Sequence, residues 1–326
     1  MEKKIANLYE PGYYGESAFP LVLITAKCHP WLITQLSARF RVAYLPAITY
    51  AQLSQMAGEL HGIIVTTRLR IDAPIMEAAT QLKWIGRLGS GLELIDLAVA
   101  KSKGIQVESS PEGNANAVGE HTLGLLLNIV NRINWSHRQV LQGQWLRDEN
   151  RGTELTGKTV GIIGYGNTGS AFARLLAPFG VTVLAYDKYR SAFSHDHVKE
   201  ASLEQVQRYA QFISFHVPLT NDTLHMGNHT FFKGLQQRPV ILNTSRGKVI
   251  DLTDLKHALE QGWISGAGLD VLENEKLETY TAAEKELVNW LGMQPDVVLT
   301  PHIAGYSHEA LLKMAEVLFH KLFPDA

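Results

Sequence analysis

Cysteine is nearly absent from this chain of 326 residues. The single Cys28 excludes a disulfide within the chain and any metal site built from several cysteines, and we expect it to be a buried structural thiol. Neither charge dominates, because 30 Lys and Arg oppose 32 Asp and Glu. Basic runs are short, and no apolar stretch approaches the roughly 18 residues of a membrane span. The composition therefore predicts neither a nucleic-acid partner nor a membrane partner.

A targeting signal is not evident in the first residues either. The segment MEKKIANLYEPGYYGE carries no apolar core of the kind that a signal peptide needs. Together with the scarcity of cysteine, this predicts a cytoplasmic protein. The chain is longer than one hydrophobic core usually supports, so we expect two domains.

Short β-branched runs alternate with helical patterns along most of the chain. The first series of runs occupies 21–25, 41–45, 62–66, 82–86 and 105–109, and the second occupies 159–163, 181–186, 212–216, 239–243, 267–271 and 296–300. A long helical pattern over 114–133 lies between them. Strands that alternate with helices usually pair in parallel. The sequence therefore predicts an α/β protein with two doubly wound parallel-sheet domains, the second a six-stranded dinucleotide-binding (Rossmann) domain.

A glycine-rich turn follows the first strand of the second series and precedes a helical pattern. Its residues are Gly164, Tyr165, Gly166, Asn167, Thr168 and Gly169. Glycines at this spacing permit a tight turn, a close approach of the backbone to a pyrophosphate, and close packing of helix on strand. The N-terminus of the helix then favours the phosphate charge. We expect this turn to bind a dinucleotide.

An acidic residue, Asp187, ends the next strand 18 residues after Gly169. Its carboxylate can bond the ribose hydroxyls, and its charge repels a 2′-phosphate, which favours NAD over NADP. Lys188 and Arg190 follow closely and keep a 2′-phosphate open as an alternative.

Polar residues follow the later strands of the second series. Ligands of an open parallel sheet bind at the carboxyl ends of its strands, so we expect these residues to converge near the nicotinamide end of the cofactor. They are His216, Pro218, Asn243, Thr244, Ser245, Arg246, Asp270, Glu273, Glu275, Thr300 and His302. Each residue also has a structural alternative: Arg246 could merely pair with Asp251 or cap a loop. Glu275 could be a solvated charge, and His302 a turn residue.

An arginine, a histidine and a carboxylate suit the reduction of a 2-oxo acid, which needs a hydride at C2, a proton at the oxygen and a clamp for the carboxylate. Arginine binds carboxylates with a charged, planar fork. Histidine transfers protons near neutral pH, and a neighbouring carboxylate orients the ring and stabilises its charged form. The residues expected in these roles are Arg246, His302 and Glu275.

Several segments resemble the D-isomer-specific 2-hydroxyacid dehydrogenase family. They are GRLGSGLELIDL (86–97), PEGNANAVGEHTLGLLL (111–127), VGIIGYGNTGSAFA (160–173), HVPLT (216–220), NTSRGKVID (243–251), GAGLDVLENE (266–275) and TPHIAGYSHEA (300–310). The resemblance implies that Arg246, Glu275 and His302 are catalytic. It also implies that Asp270 contacts the nicotinamide side and that the backbone of the Ser90–Gly91 loop holds the substrate carboxylate.

The family architecture implies two lobes with cofactor and substrate in the cleft between them. The substrate-binding, flavodoxin-like domain would comprise residues 1–112 and 304–326, and the NAD-binding domain would comprise 113–303. Homodimers would form through the nucleotide domain and the arm around 130–155. The implied cofactor contacts are Gly164, Tyr165, Gly166, Asn167, Thr168, Gly169, Asp187, His216, Pro218, Thr244, Asp270 and Gly305.

Within the family, the segments most resemble short D-3-phosphoglycerate dehydrogenases, which implies oxidation of D-3-phosphoglycerate to 3-phosphohydroxypyruvate in serine biosynthesis. That group often carries Arg-Ser-Arg where this chain reads TTRLR (66–70). Phosphate binding would therefore rest on Arg68, with Arg70 as a further candidate. The departure at Thr66 keeps a glyoxylate, hydroxypyruvate or D-lactate type reductase as the alternative. Because the chain stops at Ala326, we expect no C-terminal serine-sensing domain.

Two functions of other kinds remain as alternatives. A binding protein that senses NADH would keep the cofactor turn without turnover. A zinc enzyme would need paired ligands, and the paired histidines are His195 with His197 and His302 with His308. Neither pair has the HExxH spacing of helical zinc sites, and Cys28 is the only cysteine. We expect no metal site, and we expect His308 to be a surface or hinge residue.

Overall fold

The structure is a computed structural model that describes residues 10–325 of the chain. These residues form two compact units, one up to Asn114 and again from Tyr306 onward, the other from Ala115 to Gly305. The two ends of the predicted substrate-binding domain, residues 1–9 and 326, lie outside the described residues, as does the first part of the segment inspected for a targeting signal. Within the described residues, no helix is both long and apolar enough to cross a membrane.

Within residues 10–325, thirteen strands form two sheets. They are β1 Gly12–Tyr14, β2 Leu21–Ile24, β3 Arg41–Tyr44, β4 Leu60–Val65, β5 Trp84–Arg87, β6 Gln106–Ser109, β7 Thr159–Ile163, β8 Thr182–Tyr186, β9 Val198–Glu200, β10 Phe212–Phe215, β11 Val240–Asn243, β12 Gly266–Leu269 and β13 Val297–Leu299.

Helices alternate with these strands in the described part of the chain. They are α1 Pro30–Ser37, α2 Tyr50–Met56, α3 Ala73–Ala78, α4 Leu97–Ser102, α5 Pro111–Val130, α6 Ile133–Leu141, α7 Asn167–Leu176, α8 Leu203–Tyr209, α9 His229–Lys233, α10 Leu252–Glu260, α11 Ala282–Met293 and α12 His308–Leu322. Single 3-10 turns occupy Ala57–Glu59, Ala177–Phe179, Gly247–Val249 and Leu277–Thr279.

The first unit contains a six-stranded sheet with the order β1-β3-β2-β4-β5-β6. All neighbours run parallel except β1 and β3. Alternate residues of β2 (Leu21–Ile24) join two different apolar clusters, one on each face, and α12 contributes Leu318 to the second cluster. Cys28 lies in that cluster and is buried, as predicted, and burial raises the pKa of its thiol to about 12. Without β1, the strand order is that of flavodoxin, so the predicted fold class is confirmed.

The second unit contains a seven-stranded, fully parallel sheet with the order β13-β12-β11-β10-β7-β8-β9. Counted from β7, this is the Rossmann order with one strand added beyond the sixth. Both faces are buried, since Ile162 of β7 belongs to one apolar cluster and the following Ile163 to another. Sheets buried on both faces consist of nearly continuous apolar runs, which is why the sequence predicts these strands well.

Three features differ from the sequence prediction. Strands β1 and β9 are not predicted, because each has only three residues and is an edge strand with exposed side chains. The long helix predicted over 114–133 begins earlier, at Pro111, and ends at Val130. Arg132 adopts a left-handed conformation with φ of 54°, which stops α5 before α6 begins.

Candidate active site

The glycine turn between β7 and α7 is shaped by backbone packing. Gly164 has a positive φ of 95°, and a Cβ on it would lie 2.5 Å from the carbonyl oxygen of His216. A Cβ on Gly169 would overlap the carbonyl oxygen of Gly164. Only glycine satisfies both positions, so the turn needs these two residues whether or not a ligand is bound.

Gly166 has no such packing reason. Its φ of −87° and ψ of −150° suit any residue, and apart from its own neighbours no heavy atom of residues 10–325 lies within 4 Å of the position of a Cβ. Helix α7 starts directly after it without a side-chain cap, so its first N–H groups face this space. Open space beside uncapped N–H groups is what a pyrophosphate needs, and the turn therefore fits the predicted dinucleotide.

Asp187 joins the end of β8 to the glycine turn. One of its carboxylate oxygens accepts a hydrogen bond from the backbone N–H of Tyr165 at 2.8 Å, and the other accepts from Tyr189 and Arg190 at 2.9 and 3.0 Å. The Arg190 guanidinium in turn donates to the Tyr165 carbonyl at 2.6 Å. Lys188 pairs with the carboxylate of Asp222. Both cations that could bind a 2′-phosphate, Lys188 and Arg190, therefore have partners within the protein.

His216 follows β10 and has a buried side chain with 7% exposure. Its Nε2 lies 2.8 Å from the Ser214 hydroxyl and its Nδ1 lies 3.2 Å from the Thr168 hydroxyl. Burial lowers the pKa of the imidazole to about 3, so the ring is neutral at physiological pH. The geometry favours a contact of His216 with the glycine turn through its ring and its carbonyl, rather than a direct contact of the ring with a cofactor.

Three strand ends carry the predicted catalytic residues. Arg246 follows β11, and its Nη1 donates to the Ser245 carbonyl at 2.8 Å. Glu275 follows β12, and its Oε2 lies 2.8 Å from Nδ1 of His302, which follows β13. The side chains of His302 and Glu275 are 38% and 44% exposed, so the pair faces solvent in this unit. The alternative that Glu275 is only a solvated charge does not fit this contact.

Asp270 stabilises the backbone around His302 through hydrogen bonds. Its carboxylate, which is buried, accepts hydrogen bonds from the N–H groups of Ile303 and Ala304 at 2.9 and 2.8 Å and from the Thr300 hydroxyl at 2.6 Å. Its main-chain carbonyl accepts from the N–H of His302 at 2.7 Å. Burial alone would raise the pKa of this carboxyl, but these bonds and one from His121 outweigh it, and the pKa is lowered.

The family model described as "D-isomer specific 2-hydroxyacid dehydrogenase, NAD binding domain" matches residues 123–304, which is more than half of the chain. The chain belongs to this family. A glyoxylate reductase of Thermofilum pendens is 35% identical over 260 residues, which cover 78% of this chain and 74% of the relative. This protein is accordingly an NAD-dependent oxidoreductase that acts on the CH–OH group of 2-hydroxy acids.

Other relatives of the dehydrogenase carry different names. A D-3-phosphoglycerate dehydrogenase of Archaeoglobus fulgidus is 31% identical over 82% of this chain, but this chain spans only 50% of that protein. The structure of a D-lactate dehydrogenase from Aquifex aeolicus, complexed with NAD and lactic acid, matches with a TM-score of 0.79 and 26% identity and covers 93% of this chain and 95% of that one. The names agree on the reaction class and differ on the substrate.

Three of the predicted substrate residues, Arg68, Ser90 and Gly91, lie in the first unit of the dehydrogenase, and the fourth, Arg246, lies in the second. The Arg68 guanidinium donates from Nη1 to the Ile48 carbonyl and from Nη2 to the Thr25 carbonyl, both at 2.7 Å. Ser90 and Gly91 lie in the loop that follows β5. The buried side chain of Arg87 donates hydrogen bonds to the carbonyls of Leu88 and Gly91 and so stabilises this loop. Arg68 therefore ties two loops together, while the Ser90–Gly91 loop is shaped by an arginine that the sequence reasoning did not single out.

The remaining predicted contacts are spread over the second unit. The Thr244 hydroxyl is buried against that of Thr122 at 2.9 Å, and the Pro218 carbonyl accepts from Thr223 at 2.6 Å. Gly305 is the last residue of this unit. Two residues that the sequence reasoning missed are Thr122 and His121, although both lie in the segment PEGNANAVGEHTLGLLL (111–127). The signal that could have found them is a polar side chain among the apolar residues of a helix that is expected to be buried.

The zinc alternative depends on paired histidine ligands. Among residues 10–325, no group of three or more His, Cys, Asp or Glu side chains is arranged to hold a metal ion. His302 pairs with Glu275, and His308 is exposed in the first turn of α12. His302 and His308 therefore have different environments.

Proposed function

We propose that this dehydrogenase interconverts a small, unphosphorylated 2-oxo acid of the glyoxylate or hydroxypyruvate type and the matching 2-hydroxy acid. Arg246, Glu275 and His302 are the catalytic residues of this proposal. Backbone N–H groups of the Ser90–Gly91 loop and the Arg246 guanidinium would bind the substrate carboxylate, because charged and N–H donors match its two oxygens.

The contact between Glu275 and Nδ1 of His302 supports the assignment of the proton carrier. It fixes the ring orientation and leaves Nε2 as the nitrogen that exchanges the proton with the substrate oxygen. During reduction, protonated His302 gives up its proton at Nε2, and Glu275 stabilises the ring while it is charged. Bound NADH would supply the hydride.

The hydrogen bonds of Arg68 support the proposal of an unphosphorylated substrate. Both of its terminal nitrogens donate to backbone carbonyls, so two of its five N–H donors are already used within the protein and fewer remain for a phosphate. Thr66 stands where phosphoglycerate dehydrogenases often carry a second arginine. The name of the Thermofilum pendens relative, glyoxylate reductase, agrees with this choice.

Oxidation of D-3-phosphoglycerate, in serine biosynthesis, is the second candidate. It is favoured by Arg70, whose side chain is exposed two residues after Arg68 and is available to an anion. The name of the Archaeoglobus fulgidus relative agrees with it. The sequence segments that resemble the short phosphoglycerate dehydrogenases support it as well.

A substrate panel separates the two candidates. We would measure kcat/KM for glyoxylate, hydroxypyruvate and 3-phosphohydroxypyruvate with NADH and with NADPH, in the wild type, in Arg68→Ala and in the matched control Arg70→Ala. We expect the unphosphorylated acids and NADH to give the higher values. Arg68→Ala should lower kcat/KM for all three acids by a similar factor, because it loosens the loops around Thr25 and Ile48.

The opposite result is also defined. If 3-phosphohydroxypyruvate is the best substrate and either arginine variant lowers its kcat/KM tenfold more than that of hydroxypyruvate, the unphosphorylated assignment is wrong. Such a result would support the second candidate.

A homodimer that forms through the arm around 130–155 is also part of this proposal. Helix α6 has no buried residue, and the arm exposes large apolar side chains, among them Leu141 at 75% and Trp145 at 78%. Exposed apolar side chains this close together are typical of an interface. A cytoplasmic location stays a prediction from the sequence.

A further inference from the structure

We propose that His121 is a positioning residue for His302 and that it acts through Thr300 and Asp270. The proposal rests on the catalytic role of His302 in the proposed function. His121 lies on α5, and its Nε2 is 3.0 Å from the Thr300 hydroxyl and 3.4 Å from the nearer carboxylate oxygen of Asp270. Its contacts with Thr300 and Asp270 thus connect α5 to the base of the segment that carries His302.

The direction of these bonds follows from what each group can donate. An ionised carboxylate only accepts, so Thr300 must donate its proton to Asp270 across their 2.6 Å contact. The Thr300 oxygen is then left to accept, and the donor beside it is Nε2–H of His121. The result is a chain of two bonds, from His121 to Thr300 and from Thr300 to Asp270, in which His121 carries its proton on Nε2.

This chain stabilises an unusual backbone conformation. His302 has a φ of 54°, in the left-handed region that costs a non-glycine residue about 1 kcal/mol or more. The backbone N–H groups of His302, Ile303 and Ala304 are all bonded to Asp270, so this carboxylate and its carbonyl hold the strained turn in place. His121 and Thr300 in turn hold the side chain of Asp270 in position.

The position of the His302 ring depends on that turn. In this conformation its Nδ1 lies 2.8 Å from Glu275, and a change in the backbone at His302 would alter that distance. A displacement of about 1 Å at a catalytic group can cost about 100-fold in rate. Loss of the His121 donor should therefore lower kcat through proton transfer, although His121 acts on His302 only through Thr300 and Asp270 in this inference.

Two pairs of variants test this inference. In His121→Gln the amide Nε2 can replace the ring Nε2 as donor, whereas the shorter side chain of His121→Asn cannot reach. Thr300→Ser keeps the hydroxyl, whereas Thr300→Val removes it at nearly equal volume. His229→Asn, at an exposed histidine, is the control for the loss of an imidazole.

We expect His121→Asn and Thr300→Val to lower kcat about 10- to 100-fold, while both variants stay folded at the assay temperature and the KM for NADH stays close to wild type. Their solvent deuterium isotope effect on kcat should rise, because proton transfer becomes slow. His121→Gln and Thr300→Ser should recover most of kcat and the wild-type isotope effect.

Wild-type kcat and isotope effect in a folded His121→Asn would overturn the inference, as would equal losses in the Gln and Asn variants. A His302→Ala variant, tested in parallel, checks the assumption beneath it. If His302→Ala keeps its turnover, the proposed catalytic role fails, whereas a failure of the His121 variants alone rejects only the positioning role.

Discussion

The glycine turn and the strand ends that carry Arg246, Glu275 and His302 belong to the same sheet but are held by different forces. In the turn, backbone contacts backbone, since Gly164 and Gly169 leave no room for a Cβ. At the strand ends, side chains bond to backbone and to one another, as Asp270 does. The turn therefore depends on residues that have no side chain, and the strand ends depend on polar atoms at defined distances.

This difference separates binding from chemistry. The turn can accept a cofactor with its backbone alone, because N–H groups at the start of α7 are available in any sequence that preserves the glycines. The strand ends need protons and charges at particular atoms. Changes in the two regions should affect different measured quantities.

His302→Ala should have the largest effect on activity. Removal of the proton carrier is expected to lower kcat about 10²- to 10⁴-fold, while the dissociation constant for NADH stays unchanged because the glycine turn is untouched. Steady-state kinetics and fluorescence titration with NADH measure the two quantities. Turnover near that of the wild type would contradict the assignment of His302.

Asp270→Asn should come next. The amide group would place N–H donors against the donors of Thr300, Ile303 and Ala304, and an unsatisfied buried polar group costs about 1–3 kcal/mol. We expect a lower free energy of unfolding together with a lower kcat. Asp222→Asn is the matched control, because this exposed carboxylate only pairs with Lys188 and should change stability by less than about 1 kcal/mol. Equal effects in both variants would refute the structural role of Asp270.

Alanine at two glycines distinguishes packing from ligand binding in the turn. Gly169→Ala should lower the free energy of unfolding by about 1–3 kcal/mol, because its methyl group overlaps a backbone carbonyl. Gly166→Ala should leave stability unchanged and weaken NADH binding, since within residues 10–325 only its chain neighbours lie within 4 Å of its Cβ position. Urea unfolding and NADH titration of both variants provide the check. Unchanged NADH affinity in Gly166→Ala would show that the pyrophosphate lies elsewhere.

The buried His216 should have the smallest effect near neutral pH, and its effect on stability should appear only in acid. Its pKa is lowered to about 3 in the folded protein, while an unfolded histidine titrates near pH 6.5. Between these values the unfolded chain binds more protons, so stability should fall as the pH drops, by about 1.4 kcal/mol per pH unit. His216→Gln keeps a donor toward Ser214 and cannot titrate, so its stability should decline less steeply with acid. Identical slopes in urea unfolding between pH 6 and pH 4 would contradict this account.

Much of the fold could be predicted because both sheets are buried on both faces. Strands such as β7 and β10 are continuous apolar runs, and their helices alternate with them in sequence. The edge strands β1 and β9 could not be predicted in the same way, because three residues are too few to show a periodic pattern. The break between α5 and α6 depends on the conformation of Arg132, which no local pattern predicts.

The sequence by itself determined the α/β class, the glycine turn and the identity of the polar residues at the strand ends, because these depend on local spacing and on the parallel sheet rule. Only the tertiary structure decided their partners. It brought Glu275 to His302 across 27 positions and His121 to Thr300 across 179. It also directed Arg68 toward backbone carbonyls. Such partners depend on how separate strands and helices pack, and contacts between residues distant in the sequence leave no trace in local spacing.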